Sequence, residues 1–520
     1  MNVSQLLAKS ARAFPDRDAV IFGAQSWTYA EFDARANQVA NGLTELGLKP
    51  GSNVALLMYN CPQMLEALFG CFKAGCAAVP INFRLHPNEY AYIIDHSEAE
   101  VLVTSPEFSG QIVEMAAEIS RCRHLISLDS TAAGHLFYED LVGRQSTTFT
   151  DHQAEPGDVA WLFYTSGTTG RSKGAMLTHR NLMAMTMSFY VGMCPGFSNR
   201  EAVLHAAPLS HGSGLYALPN VGMAATNVIL EEKSFESTVV LRSIEEHGIT
   251  NMFVAPTMLK LLTDDPQLGS YDLTSMRSFI YGGGPMMVDD LTKALERLGN
   301  RLVQLYGQGE SPMTITYLSH DDHLLHADEG PAKRLASAGR PHPNLEVRIV
   351  DGEDNELAAG ELGEIVTRSD LVMKGYWRDE EATGASLKNG WLHTGDMGYL
   401  DDRGYLFIMD RSKDMIISGG ENIFPREIEE VIVTMPGVRE VAVIGIPDPK
   451  WGEAVHAVVS LVPGASVTDD EIIGFCRDNI ASYKKPKSVE FVDELPKNNY
   501  GKIVKKDLRA RHWQGKERKV

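Results

Sequence analysis

The stretch with the clearest chemical character is residues 164–175, which read YTSGTTGRSKGA. Five Ser and Thr hydroxyls, three glycines and two cations follow directly after the apolar run 159–163. Glycines let backbone N–H groups turn toward an anion at little steric cost, hydroxyls add donors, and Lys173 supplies a point charge. The stretch therefore predicts a phosphate-binding loop fed by a strand.

The spacing of this loop differs from that of a Walker loop. A Walker loop has Gly directly before the Lys and Ser or Thr directly after it, whereas here Ser172 precedes Lys173 and Gly174 follows it. A kinase-like loop is disfavoured. The alternative is a polar hairpin without chemistry, since Ser, Thr and Gly cluster in many loops, but a plain linker would not need a cation at a fixed place.

Three later segments end in residues that suit a nucleotide. Residues 279–285 read FIYGGGP, residues 303–311 read VQLYGQGES, and residues 391–398 read WLHTGDMG. Bare glycine backbone can lie flat against a purine ring, and Tyr306 can stack on the other face. Loops at the carboxyl ends of parallel strands are where ligands bind in open α/β sheets. Each segment alone predicts an ordinary turn, but together with the phosphate loop they predict a nucleotide site.

Two carboxylates and one histidine stand out beside these segments. A hard cation that bridges phosphates needs an anionic oxygen, so Glu310 is the candidate Mg²⁺ ligand. Asp396, in a predicted Thr-Gly-Asp-x-Gly turn, can accept hydrogen bonds from both hydroxyls of a ribose. His211 follows a predicted strand in the run VLHAAPLSHGSG. Alone it would be interpreted as a structural histidine.

The composition restricts the possible classes of protein. A chain of 520 residues is longer than the length at which a single hydrophobic core stops growing, so two or more domains are expected. The balance of 48 Lys and Arg against 68 Asp and Glu gives a net charge of −20, which disfavours nucleic acid as a partner. Anionic ligands must then be met by local donors, which strengthens the case for the loop.

Cysteine usage and hydropathy predict a cytoplasmic protein. The six cysteines show no C-x-x-C spacing and no zinc-finger interval to a His, so we expect buried apolar residues in a reducing compartment. Charged residues soon follow the amino terminus, which predicts no signal peptide. No apolar stretch reaches the length of about 18 residues that predicts an integral membrane segment.

The elements that must position these residues alternate along the chain. A capping box, TYAE, opens a predicted helix over residues 28–47. Predicted strands at 54–58, 77–80 and 101–104 follow, with a helix around 64–75. The alternation predicts parallel sheets covered by helices.

The motifs, taken in order, resemble those of the adenylate-forming superfamily, which includes acyl-CoA synthetases, luciferases and peptide-synthetase adenylation domains. The similarity runs from the phosphate loop to a Pro-x-x-x-x-Gly-Lys-Ile pattern at residues 496–503, and so covers nearly the whole chain. One position departs from the family pattern. Where the family usually has Thr directly before Glu310, this chain has Gly309, so one contact to the α-phosphate is missing or supplied differently, for example by Ser311.

This resemblance implies an acid–CoA ligase that uses ATP and Mg²⁺, takes CoA as co-substrate and works through an acyl-adenylate. The implied catalytic residues are Lys502, Glu310, which also holds the metal, and His211, between the ATP site and the carboxylate tunnel. The implied nucleotide- and CoA-binding residues are Thr165, Ser166, Gly167, Thr168, Thr169, Gly170, Lys173, Gly283, Gly284, Pro285, Gln304, Tyr306, Gly307, Asp396, Arg411, Gly419 and Gly420.

The resemblance also implies a fold and a domain division. We expect an α/β protein in which a large N-terminal domain has parallel-rich sheets covered by helices. A small, mobile α+β C-terminal domain follows. Residues 1–410 would bind ATP and the acid, and residues 411–520 would carry the catalytic lysine, with the hinge at Lys413. The charged and Gly-rich residues that follow the strand before this boundary suit a linker.

The identity of the acid is the least determined feature. Four small residues would leave room beside the carboxylate: Gly212, Ser213, Gly214 and Gly284. Four larger residues would line the pocket: Tyr216, Met286, Pro312 and Met313. This suits an acyl chain or an aryl ring. We predict a medium- or long-chain fatty acid, with an aryl or other small acid as the alternative.

Three rival functions share many of these motifs. They are an adenylation domain that serves a carrier protein, a luciferase-like oxygenase, and a nucleotide-binding sensor without turnover. The sensor leaves Lys502 unexplained. The partners we expect are the carboxylic acid and CoA, with a homodimer as the assembly considered.

Overall fold

The computed structural model describes residues 2–165, 171–324, 334–411, 414–418, 421–498 and 502–513. The strands are β1 (Asp18–Phe22), β2 (Gln25–Thr28), β3 (Asn53–Leu57), β4 (Ala77–Pro80), β5 (Val101–Thr104), β6 (His124–Ser127), β7 (Leu136–Phe137), β8 (Val159–Thr165), β9 (Lys173–Thr178), β10 (Ala202–His205), β11 (Thr226–Ile229), β12 (Asn251–Val254), β13 (Ser278–Tyr281), β14 (Leu302–Tyr306), β15 (Thr316–Leu318), β16 (Arg340–Pro341), β17 (Glu346–Val350), β18 (Gly363–Arg368), β19 (Leu387–Lys388), β20 (Trp391–Leu400), β21 (Leu406–Arg411), β22 (Ile416–Ser418), β23 (Glu421–Ile423), β24 (Val438–Asp448), β25 (Gly452–Leu461) and β26 (Ser488–Phe491).

The α-helices are α1 (Gln5–Ala13), α2 (Tyr29–Glu45), α3 (Pro62–Ala74), α4 (Pro87–His96), α5 (Pro106–Glu114), α6 (Tyr138–Gly143), α7 (His179–Ser188), α8 (Gly212–Gly222), α9 (Ser237–His247), α10 (Pro256–Asp264), α11 (Val288–Leu298), α12 (His320–His323), α13 (Glu380–Ser386), α14 (Pro425–Ile432), α15 (Asp469–Asn479) and α16 (Lys505–Ala510). A π-helical turn, Phe189–Met193, continues α7, and a 3-10 turn lies at Leu268–Ser270.

Two large sheets carry the N-terminal part of the chain. One has nine strands in the order β16-β15-β14-β13-β12-β10-β11-β1-β2, and the other has seven in the order β7-β6-β5-β3-β4-β8-β9. The inner strands of both sheets pair in parallel, while antiparallel strands close one or both edges. The alternation of elements in the sequence predicted the parallel interior, since a helix crossover returns each strand to the same direction.

The predicted helix over residues 28–47 is α2, and its capping box is formed. Thr28 accepts a hydrogen bond from the N–H of Glu31, and the Glu31 side chain accepts one from the N–H of Thr28. The predicted strands at 77–80 and 101–104 have the predicted bounds.

Two smaller sheets follow. The strands β17, β18, β19, β20 and β21 form an antiparallel sheet, and β22 to β26 form the sheet of the C-terminal part, where only β26 pairs in parallel. The last sheet has its own hydrophobic cluster with α14 and α15, which includes Ile416, Ile428 and Cys476. A separate C-terminal α+β unit is therefore present. The division at residue 410 and the mobility of this unit stay predictions.

The cysteines are free, and five of the six are buried, as the sequence predicted. Among the helices that the structure describes, none has both the length and the apolar character needed to cross a membrane.

Candidate active site

The predicted nucleotide-binding residues converge at the carboxyl ends of neighbouring strands. Tyr281, which ends β13, pairs in parallel register with Gln304 of β14. The glycines after β13 and the motif after β14 therefore begin at the same edge of the nine-stranded sheet. Gln304 is half-buried, and its Oε1 has no hydrogen-bond partner among the described residues.

The phosphate loop joins two antiparallel strands. Thr165 at the end of β8 is paired with Lys173 at the start of β9, so these two strands are the arms of a hairpin. This pairing brings Lys173 opposite Thr165. The predicted residues Ser166, Gly167, Thr168, Thr169 and Gly170 lie outside the described residues.

Glu310 lies beside the base of this loop. Its Oε1 accepts hydrogen bonds from the Thr165 hydroxyl at 3.4 Å and from the Tyr376 hydroxyl at 2.6 Å. Burial, with Glu310 as a neighbouring charge, raises the pKa of Tyr376, so its hydroxyl stays protonated and donates. One carboxylate next to a phosphate loop fits Mg²⁺, which is commonly bound through one or two carboxylates and substrate phosphates.

Tyr376 belongs to a segment that sequence reasoning missed. Residues 373–377 run along β9, where the N–H of Met176 donates to the Gly375 carbonyl at 2.9 Å and the N–H of Trp377 donates to the Gly174 carbonyl at 2.8 Å. The Lys173 ammonium lies 5.2 Å from the centre of the Tyr376 ring. The segment thus connects the loop lysine with Glu310. A single Gly-Tyr pair is too common a pattern to have revealed it.

Asp396 lies within a strand, so the predicted turn is wrong. The motif is part of β20, where Gly395 has a left-handed backbone with φ of +69° and Asp396 pairs with Arg411 of β21. The Asp396 carboxylate is 6% exposed, and its Oδ2 accepts from the Tyr306 hydroxyl and from Gln308 Nε2, both at 2.7 Å. Asp396, predicted to bind the ribose, and Tyr306, predicted to stack on the purine, are therefore hydrogen-bonded to each other.

His211 is a half-buried residue that packs against the phosphate-loop strand. Its ring lies 4.7 Å from the ring of Phe163 with an interplanar angle of 34°. Burial lowers the pKa of His211 to about 4, so the imidazole is neutral at neutral pH. A neutral ring can face an apolar substrate without the cost of a buried charge.

The predicted pocket lining is only partly brought together. A β-carbon on Gly212 would lie 2.6 Å from Met313 Cε and 3.1 Å from Phe253 Cε1, and the rings of Tyr216 and Phe253 lie 5.6 Å apart. Met286 instead belongs to a different hydrophobic cluster. Phe163 and Phe253 were missed because two aromatic residues in buried strands carry no sequence signal of a site.

Lys502 lies in the C-terminal unit with an exposed side chain. Its N–H donates to Asn498 Oδ1 at 2.9 Å, and its carbonyl accepts from the Asn498 N–H at 2.8 Å. Three residues later, the ammonium of the half-buried Lys505 lies 3.2 Å from Asp410 and 2.9 Å from Glu429. Lys413, Gly419 and Gly420 lie outside the described residues, and the roles of Arg411 and Lys502 stay predictions.

Comparison with known proteins identifies the family. The family described as AMP-binding enzyme matches residues 7–377, and the AMP-binding enzyme C-terminal domain matches residues 427–502. The chain belongs to the AMP-binding enzyme family. This confirms the adenylate-forming superfamily and, within it, an acid–thiol ligase of the acyl-CoA synthetase type.

Similar proteins include enzymes named for aromatic and for fatty acids. The AMP-binding enzyme is 39% identical over 505 residues, 97% of either chain, to a feruloyl-CoA synthase from an Amycolatopsis species. It is 34% identical to the fatty acid–[acyl-carrier-protein] ligase ScoC of Streptomyces coeruleorubidus, over 97% of this chain and 95% of ScoC. The crystal structure of the anthranilate CoA ligase AuaEII with anthranoyl-AMP superposes with a TM-score of 0.90 at 27% identity, covering 98% of this chain and 97% of that one.

In this AMP-binding enzyme, Gly309 stands in close contact with the loop strand. A β-carbon at this position would lie 2.4 Å from Thr165 Cγ2 and 2.8 Å from Phe163 Cδ1, so the Thr usual in the family has no room here. Ser311 is fully buried and its Oγ has no hydrogen-bond partner among the described residues, and its contact to the α-phosphate stays a prediction.

A cavity of about 160 Å³ lies away from these residues. It opens where strands of the two large sheets end, with Tyr59, Phe83, Arg84, Pro208 and Lys233 among its lining. None of the predicted site residues lines it. The cytoplasmic location, the homodimer and the fatty acid substrate of this AMP-binding enzyme stay predictions.

Proposed function

We propose that this enzyme joins an aromatic carboxylic acid to CoA, with ATP converted to AMP and diphosphate. The observation that carries the proposal is the aromatic wall near Gly212, made by the ring pairs Phe163–His211 and Tyr216–Phe253. Aromatic side chains favour a planar ring through offset and edge contacts. The similarity to proteins named feruloyl-CoA synthase and anthranilate CoA ligase supports this choice.

The reaction proceeds in two steps, adenylate formation and thioester formation. A carboxylate oxygen attacks the α-phosphorus of ATP, and the bond from that phosphorus to diphosphate breaks. The thiolate sulfur of CoA then attacks the acyl carbon, and the bond from that carbon to AMP breaks. Catalysis of this kind consists mainly of positioning and charge stabilisation.

Each charged residue then has a role in positioning. Lys173 and the loop hydroxyls hold the β- and γ-phosphates, and Lys502 bridges the carboxylate and the α-phosphate. Glu310, oriented by Tyr376 and Thr165, would hold Mg²⁺, which neutralises phosphate charge when bound.

The nucleoside is held from the other side of the site. Asp396 takes the ribose hydroxyls, and the hydrogen bonds from Tyr306 and Gln308 keep its carboxylate in one orientation. Because these groups are buried or half-buried, they need little reordering when ATP binds.

The C-terminal unit would adopt two orientations, one for each step. The contact of Lys505 with Asp410 crosses the predicted boundary at residue 410. It therefore stabilises the orientation seen here, and a rotation about Lys413 would have to break it.

A panel of acids tests the substrate class. Ferulate, cinnamate, benzoate, octanoate and hexadecanoate would be compared by hydroxamate trapping of the adenylate and by thioester formation with CoA. We expect kcat/KM for an aromatic acid to exceed that for either fatty acid by about 100-fold or more, which corresponds to about 3 kcal/mol in the transition state. A preference for hexadecanoate would contradict the proposal.

Gly212→Ala provides a matched variant. Its added methyl group would push Met313 or Phe253 into the pocket, so KM for the acid should rise while KM for ATP stays unchanged. Equal changes in both would mean that Gly212 does not line the acid pocket.

A second candidate is a fatty acid ligase that serves a carrier protein, and the similarity to ScoC favours it. Replacing CoA by a phosphopantetheine-bearing carrier protein separates the two. Faster acyl transfer to the carrier protein than to CoA would support this candidate.

A further inference from the structure

Three side chains that bind metals in other proteins meet in the C-terminal unit, far along the chain from Glu310. They are His456, Glu490 and His512, and one ligand atom from each lies within 4.8 Å of the others. His456 of β25 pairs in register with Ser488 of β26. Glu490, two residues after Ser488, therefore lies on the same face of the sheet. His512 comes from the segment just after α16.

The distances in this cluster approach those of a metal site. His456 Nε2 lies 3.5 Å from Glu490 Oε2, and His512 Nε2 lies 3.9 Å from the same oxygen. The two rings are 4.9 Å apart at 60°. Zinc bonds of about 2.0–2.1 Å in a tetrahedron separate neighbouring ligand atoms by about 3.4 Å. Small side-chain movements would bring the three atoms to that spacing.

His456 is oriented as a metal ligand is. Its Nδ1 lies 2.7 Å from Ser488 Oγ, which can accept a hydrogen bond from the Nδ1–H group, so that the lone pair of the neutral ring is on Nε2. The residue is 5% exposed, and Nε2 has no hydrogen-bond partner among the described residues. Metal-bound histidines commonly donate their second N–H in this way.

The charged side chain of Arg511, next to the cluster, leaves one oxygen of the Glu490 carboxylate for a cation. Arg511 approaches the other oxygen of the carboxylate, with Nη1 3.7 Å from Glu490 Oε1, and its side chain is 62% exposed. Oε2 therefore remains directed at the two imidazoles. The distance of 3.5 Å between His456 Nε2 and Glu490 Oε2 is longer than that of an ordinary N–H···O hydrogen bond.

We propose that His456, Glu490 and His512 bind a divalent transition ion, with Zn²⁺ as the ion that suits two imidazoles, one carboxylate and an open fourth position. Mg²⁺ is excluded from this site because it prefers an octahedral shell of oxygen ligands. The bound ion joins the segment after α16 to the sheet. Since α16 carries Lys505 and Arg509, which contact Asp410 and Asp414, the ion restrains the same helix that docks on the N-terminal domain.

Calorimetry with Zn²⁺ alone tests the site in the untagged full-length chain after chelator treatment and removal of the chelator. We expect one ion per chain, and no competition from excess Mg²⁺. His512→Ala and Glu490→Gln should each weaken binding by more than about 100-fold, and Ser488→Ala by about 10- to 100-fold because it removes the partner of Nδ1. His247→Ala, in another part of the chain, is the matched control.

Hydrogen exchange gives a second readout that does not depend on activity. Zn²⁺ should slow exchange in residues 505–513 of the wild-type chain and leave His512→Ala unchanged. Circular dichroism of each variant shows whether it is folded. Zn²⁺ binding that is equally strong in His512→Ala, Glu490→Gln, Ser488→Ala and the control, or protection that persists in His512→Ala, would overturn the proposal.

Discussion

Gly309 lies so close to Thr165 that a β-carbon on it would come within 2.4 Å of Thr165 Cγ2. The residue before Glu310 and the end of the loop strand are therefore fitted to each other. The departure from the family pattern is explained by the methyl group of Thr165 and the ring of Phe163, which occupy the space that a side chain would need.

Gly309→Ala should reduce both the stability and the adenylation activity of the enzyme. Overpacking of this kind costs about 1–3 kcal/mol, and the displaced Thr165 also contacts Glu310. Adding Thr165→Ser removes the methyl group and should restore part of the loss. Denaturant unfolding and pyrophosphate exchange measure the two effects. If the double variant were no better than Gly309→Ala alone, Thr165 would not be the limiting contact.

Tyr376→Phe should raise the Mg²⁺ concentration that half-saturates adenylate formation by about 10- to 100-fold, as loss of a ligand's orienting partner typically does. The variant removes the 2.6 Å hydrogen bond to Glu310 and keeps the ring beneath Lys173. Tyr190→Phe, which removes a hydroxyl bonded to the Pro219 carbonyl, is the control. An unchanged Mg²⁺ dependence with lower kcat would argue against Glu310 as the metal ligand.

Asp396→Asn should raise KM for ATP by about 10- to 100-fold with little change in kcat. A hydrogen bond to a charged group contributes about 1.5–3 kcal/mol, and a ribose contact made equally in ground and transition states affects binding alone. Steady-state kinetics at saturating acid provide the measurement. A fall in kcat at constant KM would place Asp396 in the chemical step.

Lys502→Ala should slow adenylate formation by about 10²- to 10³-fold, the usual effect of losing one stabilising group at a developing charge. Thioester formation from a supplied acyl-adenylate should be spared, because carboxylate and phosphate are then already joined. Lys506→Ala, which changes an exposed lysine of α16 four residues after Lys502, is the control. Equal loss in both half-reactions would rule out the bridging role.

His342→Phe should make the enzyme less sensitive to acid. Burial lowers the pKa of His342 to about 4, and neither ring nitrogen has a hydrogen-bond partner among the described residues. Between the ordinary pKa of about 6.5 and about 4, the unfolded state binds a proton that the folded state does not, so stability falls as pH falls through this window.

The measurement for His342 is the difference in apparent melting temperature between about pH 7 and about pH 5, in the window that the linkage defines. The phenyl ring keeps the contact with Tyr317 at 4.5 Å between ring centres and cannot be protonated. The other buried histidines are present in both the wild type and the variant, so their contributions to the difference cancel. An identical difference in the wild type and the variant would contradict the prediction.

The sequence by itself determined the family, the parallel sheets and most of the local elements. The loop at 164–175, the capping box at Thr28 and the alternation of apolar runs each depend on residues close together in the chain. Hydroxyl, glycine and lysine spacing predicts phosphate binding without knowledge of the fold, because the donors lie on one short loop.

The tertiary structure decided the contacts between distant residues. Only folding places Tyr376 on Glu310, 66 residues away, and Tyr306 on Asp396, 90 residues away. It also placed the Asp396 motif within β20, where Gly395 keeps a left-handed backbone beside a register shift in the β18–β20 pairing and Asp396 pairs with β21. The space at Gly309 and the cluster of His456, Glu490 and His512 depend on packing and register. No local pattern of residue types encodes these contacts, because their partners come from separate parts of the chain.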